Sequence, residues 1–424
     1  MARAKNLMCL IGALSVAGSG EAVAAGFAVR ENSAESVATV FAGNASRADD
    51  VATVFNNPAG MSYLQGTQLE VGGALVLPSI HFNGSLTAGT TTLPGDNSRQ
   101  DGLITLIPHF YGVLDLNERT KLGLAITTPF GNAVDYGDQW SGRYVNIKTS
   151  ALSMDFNPNI SYRLTDWLSV GGGVSLQYFR LGLASGIPQS LIFGAGPDSS
   201  FDLAVANWNW GYNLGLLAEF REGTRIGFTY RSDVDHNLKG VLRLAPQTSP
   251  LLGLSTAPAT TDIHLPATWT ASLTQDVSGD LSLFSDVQYT EWHTFQDVSL
   301  VAPPNPVFTF VEHYRDAWMI SVGGNYKFND VWSLRGGFGF DESPVTDAYR
   351  DTGVPDDNRY MIGVGPRIRL NDTMLLDLGY SHYWGAAATV NKSVNSVDPF
   401  AGTMLHGQFN NTLDWLVVSF TAAL

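Results

Sequence analysis

Short polar turns alternate with long polar connections along most of this chain, and few folds show that asymmetry. The short turns carry turn-forming residues and fall at Leu116 to Arg119, Thr165-Asp166, Glu222-Gly223, Ser278-Gly279, Asn329-Asp330 and Asn371-Asp372. The long connections fall near residues 84–100, 131–148, 186–202, 245–260, 301–308, 343–357 and 391–410. With a first strand near 68–83 and a last one near 411–424, this spacing predicts fourteen strands. An even number of strands with short turns at one end and long loops at the other is typical of a transmembrane β-barrel.

The predicted strands show the two-residue period of a sheet. In residues 332–341 the large apolar side chains share one face, whereas Ser333, Arg335 and Asp341 share the other. A closed barrel pairs every backbone group in lipid, which an open sheet does not. The expected fold is therefore all-β, a 14-stranded antiparallel transmembrane β-barrel over residues 67–424. Aromatic residues near the strand ends are expected to form interfacial girdles, and these are Trp140, Tyr144, Trp167, Trp292, Trp332 and Trp384.

The composition argues against nucleic acid as a partner. Only 15% of the residues are charged, compared with roughly 25% in an ordinary soluble domain. The chain has 39 acidic and 24 basic side chains, and its formal charge of -15 would repel a polyanion. The histidines show no metal-binding spacing and there is no Gly-x-Ser-x-Gly motif. Neither a metal, a cofactor nor a catalytic residue is therefore expected.

The first 24 residues have the pattern of a secretory signal peptide. Arg3 and Lys5 provide the positive start, Leu7 to Val16 the short apolar core, and Ala22-Val23-Ala24 the small-residue cleavage site. Cleavage after Ala25 is the near alternative. Removal of this segment would also remove Cys9, the only cysteine, and would leave a mature chain without thiols.

Residues 25–66 do not fit the strand pattern. They are rich in small residues and contain two helix-compatible stretches, 36–43 and 48–55, followed by Asn57-Pro58-Ala59. A barrel of about fourteen strands has a lumen that its own side chains do not fill. This segment is therefore expected to be a hatch, or plug, held by a rigid turn at Asn57, Pro58 and Ala59, because Pro58 fixes its own φ and restricts the residue before it.

Several motifs resemble those of the FadL-type long-chain fatty acid transporters of Gram-negative outer membranes. In the N-terminal segment these are Ala25-Gly26-Phe27, Ala48-Asp49-Asp50 and Asn57-Pro58-Ala59. In the barrel they include Gly142-Arg143-Tyr144, Asn157-Pro158, Leu334-Arg335-Gly336-Gly337, Phe340-Asp341-Glu342-Ser343-Pro344-Val345, Pro355-Asp356-Asp357-Asn358-Arg359 and Asp377-Leu378-Gly379-Tyr380. One departure is Leu424, since such barrels usually end on an aromatic residue that the outer-membrane assembly machinery reads.

The resemblance implies a particular transport route. A hydrophobic molecule would be captured at the outer loops, passed to an inner pocket that includes Phe27, and released sideways into the membrane lipid through a kink in the third strand. The residues support such a kink, because Pro129 cannot donate a ladder hydrogen bond and Gly131 tolerates unusual dihedral angles. The expected lateral opening is Pro129, Phe130 and Gly131, and the alternative is an ordinary strand end.

Two arginines are the expected contacts for a fatty carboxylate. Arg315 shares its strand face with the small and polar residues of 317–325, which indicates the lumen. Arg180 shares a face with Val174 and Leu176, so its neighbours in the interior would be apolar. Both match basic residues of the family's inner pocket, and a guanidinium can pair with a carboxylate through two hydrogen bonds. The alternative is that both arginines pair with Asp or Glu in a lumen network.

The leading hypothesis is a passive outer-membrane transporter for long-chain fatty acids or similar hydrophobic molecules. An importer of aromatic or alkane hydrocarbons is the alternative within transport. A surface adhesin or structural barrel is a second class, and an outer-membrane lipid hydrolase is disfavoured by the missing nucleophile motif. The apolar loops 186–197 and 250–254 favour capture of a hydrophobic ligand.

Overall fold

The computed structural model describes residues 26–101, 104–187, 198–245, 255–303, 308–394 and 402–424. The expected signal peptide, residues 1–24, lies outside the described residues. So do all of the apolar loop 250–254 and all but the first two residues of loop 186–197.

Fourteen antiparallel strands form the wall, and four of them are made of two segments. The first seven are β1 Gln68–Ala88, β2 Thr105–Asn117, β3 Thr120–Thr127 with Gly131–Asp135, β4 Lys148–Arg163, β5 Leu168–Ile187, β6 Ser199–Arg221, and β7 Thr224–Arg231 with Val234–Leu244. The other seven are β8 Thr256–Leu265 with Thr268–Asp276, β9 Leu281–Thr290, β10 Ala317–Lys327, β11 Trp332–Asp341, β12 Arg359–Asn371, β13 Met374–Gly385 with Ala388–Ser393, and β14 Thr403–Ala423.

The sheet closes because its first and last strands pair with each other. β1 and β14 are antiparallel along their whole length, from Gln68 opposite Ala423 to Ala88 opposite Thr403. Each remaining strand pairs with its neighbours in sequence, and the short turns all fall at one end of the barrel. The predicted 14-stranded antiparallel barrel is therefore confirmed.

The two faces of the wall have opposite chemistry. Large apolar side chains point outward along successive strands, as in β11, where Leu334 and Phe338 are 41% and 46% exposed. Their inward neighbours Arg335 and Asp341 are buried. An apolar outer face with a polar interior is what a barrel in lipid requires. Among the described residues, no helix is long and apolar enough to cross a membrane.

The long connections contain short elements of their own. Between β1 and β2 these are the strands Thr91–Leu93 and Arg99–Asp101. Between β9 and β10 there is a 3₁₀ turn, Trp292–Thr294, followed by the paired strands Asp297–Leu300 and Phe308–Val311. The first two pair alongside β1, whereas the last two form a separate two-stranded sheet.

Residues 26–66 lie against the inner surface of the barrel. They contain α1 Ala34–Ala38, α2 Thr53–Asn56 and a 3₁₀ helix, Pro58–Tyr63. The hydroxyl of Ser33 accepts the backbone N–H of Ser36 and so caps α1. Contacts from α1 go to β11, β12, β13 and β14, and those of the 3₁₀ helix go to β3, β4, β5 and β6.

Glycines in the wall allow the N-terminal segment to approach the strands closely. A Cβ built on Gly337 of β11 would collide with the carbonyl oxygen of Thr39. One built on Gly227 would collide with the carbonyl of Ala45. Only glycine permits backbone to pack against backbone at these two places. The segment is thus fitted to the wall by main-chain contact as well as by side chains.

Candidate functional site

The wall is interrupted in β3. The ladder between β2 and β3 ends at the pair Phe110–Ile126 in the described chain, and Gly131–Asp135 pairs on one side with β4. Three residues, Thr128 to Phe130, stand opposite two in β4, because the register moves from Thr127–Asp155 to Gly131–Leu152. Such an extra residue bends a strand. The bend falls on the predicted residues Pro129, Phe130 and Gly131.

The start of the described chain pairs with this bend. The N–H of Val29 donates to the carbonyl of Pro129 at 2.8 Å, and the N–H of Gly131 donates to the carbonyl of Phe27 at 2.9 Å. Ala28 lies opposite Phe130 in an antiparallel bridge. Residues 27–29 therefore act as a short extra strand, which pairs with β3 where β3 no longer pairs with β2.

Phe27 is the centre of an aromatic cluster. Its ring is 5.0 Å from that of Trp292 and 5.2 Å from that of Phe295, both with edge-to-face geometry. Phe130 and Phe179 lie at 5.9 and 6.5 Å. Such pairs are stabilised by about 0.5–1.5 kcal/mol beyond the burial of their area. The side chain of Phe27 consequently ties the N-terminal strand to the bend in β3 and to the loop after β9.

Two cavities lie on either side of this paired segment. The outer cavity has a volume of about 740 Å³, including space open to solvent, and is lined by Phe27, Phe179, Leu181, Leu183, Phe201 and further apolar residues. The inner cavity has a volume of about 1060 Å³ by the same measure and is lined by Ala28, Pro129 and Phe130 together with polar residues of β5 to β9. A long apolar ligand fits the chemistry of the outer cavity.

Asn57 holds the turn that precedes the 3₁₀ helix. Its Nδ2 donates to the carbonyl of Ala45 at 2.6 Å and to that of Leu216 in β6 at 3.1 Å. Its Oδ1 accepts the N–H of Ala59 at 3.1 Å. The side chain is fully buried, so each of these groups would lose its bond to the amide in a place that water does not reach freely.

Replacement of Asn57 by Ala is expected to lower uptake at least about fivefold, since three buried groups lose a bond worth about 1 kcal/mol each. The barrel should still migrate as a folded species on a heat-modifiability gel. Asn56→Ala is the matched control, because the side-chain bonds of Asn56 go to Asn32 and Ser36 and stay within the N-terminal segment. Equal uptake by the two variants would contradict a role for the Asn57 turn.

A buried ion network joins the N-terminal segment to the wall. Glu35 of α1 lies 3.1 Å from the guanidinium of Arg335 in β11 and 3.4 Å from that of Arg367 in β12. Both arginines also contact Asp377 of β13, at 2.6 and 2.8 Å. Arg47 approaches Glu35 from within the segment at 3.5 Å. The attraction between Glu35 and the wall arginines therefore opposes separation of the N-terminal segment from the wall.

The two predicted carboxylate contacts do not meet at the cavities. Arg180 is exposed on the outward face of β5, next to the outward-pointing Val174 and Leu176, so its predicted interior position is wrong. Arg315 precedes β10 instead of lying within it. It pairs with Glu342 at 3.1 Å, and its side chain is 49% exposed. Arg315 therefore has an acidic partner, as in the alternative prediction, but this ion pair is exposed and does not belong to a buried network in the lumen.

Three of the predicted girdle residues have a different role. Trp140, Tyr144 and Trp292 are buried, because each lies in a long connection that folds onto the barrel and not at a strand end. Trp167, Trp332 and Trp384 are exposed on the outer side as expected. The sequence singled out Trp292 but not its role, because its proximity to Phe27 across some 265 residues has no local signal.

The comparisons with known proteins agree with this architecture. Residues 15–422 match the family model described as outer membrane protein transport protein (OMPP1/FadL/TodX). The 47 kDa outer membrane protein of Pasteurella multocida is 29% identical over 94% of this chain and 96% of its own. The long-chain fatty acid transport protein of Escherichia coli K12 is 26% identical over 88% of this chain and 91% of its own.

Solved structures share the fold at low sequence identity. A FadL homologue of Pseudomonas aeruginosa has a TM-score of 0.86 at 22% identity, covering 94% of this chain and all of its own. The toluene transporter TodX of Pseudomonas putida has a TM-score of 0.71 at 19% identity, covering 92% of this chain and 98% of its own. The fold and these matches define a β-barrel protein of the bacterial outer membrane. The chain belongs to the OMPP1/FadL/TodX family of outer-membrane transport proteins.

Proposed function

We propose that this protein carries hydrophobic molecules, a class that includes long-chain fatty acids and aromatic hydrocarbons, passively across the outer membrane. The observation that supports this most strongly is the position of residues 27–29. They line the outer cavity through Phe27 and at the same time pair with the bend in β3. A ligand that displaces Phe27 would therefore also act on the interrupted part of the wall.

Release through the wall is favoured by the chemistry of the cargo. Exposure of an acyl chain to periplasmic water costs about 0.8 kcal/mol per CH₂. The N-terminal segment acts as a hatch, with its main chain against wall glycines and Glu35 in the ion network. The exit is proposed at Pro129, Phe130 and Gly131, beyond the last pair of the ladder between β2 and β3, so that the cargo passes into membrane lipid.

Neither Arg180 nor Arg315 is assigned to the cargo. Replacement of either arginine by Ala is expected to change uptake less than about fivefold. Arg180 is exposed on the outward face of β5, and the exposed ion pair of Arg315 with Glu342 contributes only about 0–1 kcal/mol. Initial uptake rates of radiolabelled oleate at matched protein levels provide the measurement. If Arg315→Ala lowered the uptake rate more than tenfold while Glu342→Gln left it unchanged, Arg315 would have to be assigned to the binding site.

The proposed function is tested by complementation. A strain that lacks its own transporters of this family is given the gene or an empty vector, and the uptake of radiolabelled oleate and toluene is measured. Faster uptake of at least one solute with the gene supports transport. Rates equal to the vector for both, with the barrel present in the outer membrane, would favour an adhesin or structural barrel.

A further inference from the structure

Three cations lie close together on the outward face of the wall, near the long connections. Arg180 of β5 and Lys239 of β7 stand opposite the same residue of β6, Ala206. Arg243 lies four residues beyond Lys239 and therefore points to the same face. All three side chains are exposed, whereas the residues next to them in each strand are buried or half-buried. Arg180, Lys239 and Arg243 together are called the basic patch.

The cations of the basic patch have no partner in the part of the chain that the structure describes. Their side chains make no hydrogen bond and no ion pair with any described residue. Other cations near the long connections are paired, as Lys148 is with Asp135 at 3.0 Å. The connections that follow β5 and β7 include residues 188–197 and 246–254, which contain no Asp or Glu. The basic patch is therefore open to an anion from outside the protein.

The basic patch lies at the outer edge of the apolar belt. Large apolar side chains occupy the outward face of β6 from Phe220 to Trp208. At about 3.3 Å per residue and a tilt of about 35–45°, this stretch spans roughly 28–32 Å of the membrane, slightly more than an apolar band of about 25 Å. The ring of Tyr178 lies 5.2 Å from that of Trp208, and such aromatic residues mark a membrane interface. Arg180 and Ala206 are the next outward residues beyond this pair, at the level of the lipid head groups.

The spacing of the cations suits a head group with two phosphates. Two strand spacings separate Arg180 from Lys239 by about 10 Å, so both long side chains can reach one anion between them. Arg243 lies about 13 Å further along β7 and is placed for a second anion. The outward residues between these positions on β5 and β6 are small, Gly182 and Ala204, which leaves room for a sugar ring against the wall. Phosphate oxygens accept charge-assisted hydrogen bonds from both kinds of cation.

One carboxylate lies within the basic patch. Asp202 of β6 stands opposite Arg243 and faces outward. It makes no ion pair with Arg243 or with any other described residue. Asp235 and Asp262 lie on the membrane side of Lys239 and are already bonded to neighbouring side chains, at 2.6 and 2.7 Å. With three cations and one carboxylate, the basic patch keeps a positive balance.

We propose that the basic patch binds a phosphorylated glycolipid of the outer leaflet, with one phosphate between Arg180 and Lys239 and a second beside Arg243. The acyl chains of the lipid lie along the apolar face that begins at Tyr178 and Trp208. Clustered cations next to an apolar membrane surface are what anionic lipid head groups recognise. The three cations line neither the outer nor the inner cavity, so this inference goes beyond the proposed function and does not depend on what the lumen carries.

Three lipids distinguish the head groups. Diphosphoryl lipid A, the same lipid after removal of both phosphates, and phosphatidylglycerol are titrated into the purified barrel in a neutral detergent, and bound lipid is counted by native mass spectrometry. EDTA is present, so that divalent cations do not bridge the lipid to carboxylates. Diphosphoryl lipid A is expected to bind at least about tenfold more tightly than its dephosphorylated form, and more tightly than phosphatidylglycerol. Equal binding of the phosphorylated and dephosphorylated forms overturns the inference, and equal binding of phosphatidylglycerol overturns the choice of a glycolipid.

Two triple variants separate the basic patch from the net charge of the protein. The patch variant combines Arg180→Gln, Lys239→Gln and Arg243→Gln. The control variant removes the same charge from exposed positions at the short-turn end of the barrel and combines Arg119→Gln, Lys327→Gln and Arg369→Gln. Both should migrate as folded species on a heat-modifiability gel. The patch variant is expected to bind diphosphoryl lipid A at least about tenfold more weakly, and the control variant within about threefold of the wild type. Equal losses in the two variants overturn the inference.

Replacement of Asp202 should act in the opposite direction. Asp202→Asn is expected to tighten the binding of diphosphoryl lipid A at least about twofold, because a phosphate beside Arg243 no longer meets a like charge. Binding of the dephosphorylated lipid should stay the same, since that lipid has no charge to repel. Unchanged or weaker binding of diphosphoryl lipid A by Asp202→Asn would contradict the placement of the second phosphate beside Arg243.

Discussion

A disulfide between positions 28 and 130 is expected to reduce uptake at least about tenfold, and reduction should restore it. Ala28 and Phe130 form a bridge whose flanking hydrogen bonds run from Val29 to Pro129 and from Gly131 to Phe27. This is the arrangement of a non-hydrogen-bonded antiparallel pair, in which the Cα atoms are about 4.5 Å apart. That distance is within the range of about 4.4–6.8 Å that a disulfide accepts. The crosslink would hold the N-terminal strand on the bend and keep the opening occupied.

The controls use the absence of competing thiols. Cys9 is the only natural cysteine and lies in the predicted signal peptide, so Ala28→Cys with Phe130→Cys has one pairing available. Each single variant reports the effect of the substitution alone, which matters because Phe130→Cys removes a ring from the Phe27 cluster. Uptake is measured with and without a membrane-permeant reductant. Normal uptake by the fully oxidised double variant would show that residues 27–29 need not leave the bend.

The barrel was predictable because two independent periodicities in the sequence agree. The alternation of short turns and long loops fixes which ends of the strands lie together, and the two-residue period fixes the faces. Arg335 illustrates the second point, since the bulky Leu334 and Phe338 of its strand face outward, whereas Arg335 is buried inside with Asp377. In a strand whose large apolar residues occupy every second position, a charged residue at an intervening position is predicted to point into the barrel.

The bend in β3 was also predictable, because the limits of proline on sheet pairing are local. The position of Arg180 was not. Its apolar neighbours Val174 and Leu176 were taken for the wall of a pocket, but in a barrel the continuous apolar face is the one that meets lipid. An arginine near the end of such a face can extend its head group toward the interface.

The candidate cavity depends on contacts that no pattern in a single sequence reveals. Phe27, Trp292 and Phe295 meet because the long connection after β9 folds back onto the barrel. Glu312 and Asp351 come from two other connections. Loops of this kind have no regular period, and their packing is decided by which apolar surfaces they cover. For this reason the sequence pattern assigned Trp292 to an interfacial girdle and gave no role to Glu312 or Asp351.

Replacement of Glu35 by Gln is expected to loosen the hatch by about 3 kcal/mol, the lower end of the cost of breaking a buried ion pair. Glu35 is fully buried and is approached by Arg47, Arg335 and Arg367. Glutamine preserves the shape of the side chain but leaves these guanidinium groups with less compensating charge. Amide hydrogen exchange in residues 34–47 should accelerate more than about hundredfold, while the ladders of the wall remain protected.

Asp49→Asn is the control for Glu35→Gln, because it removes a carboxylate that faces the same arginines but is exposed instead of buried. Asp49 lies in the same segment and faces the same Arg335 and Arg367, at 3.8 and 4.0 Å, but its side chain is 41% exposed. Water screens that charge, so the expected cost is within about 1 kcal/mol. If the network acts through burial, exchange in the Asn variant stays within about fivefold of the wild type. Equal acceleration by both variants would mean that the summed negative charge, and not the buried position of Glu35, holds the hatch against the wall.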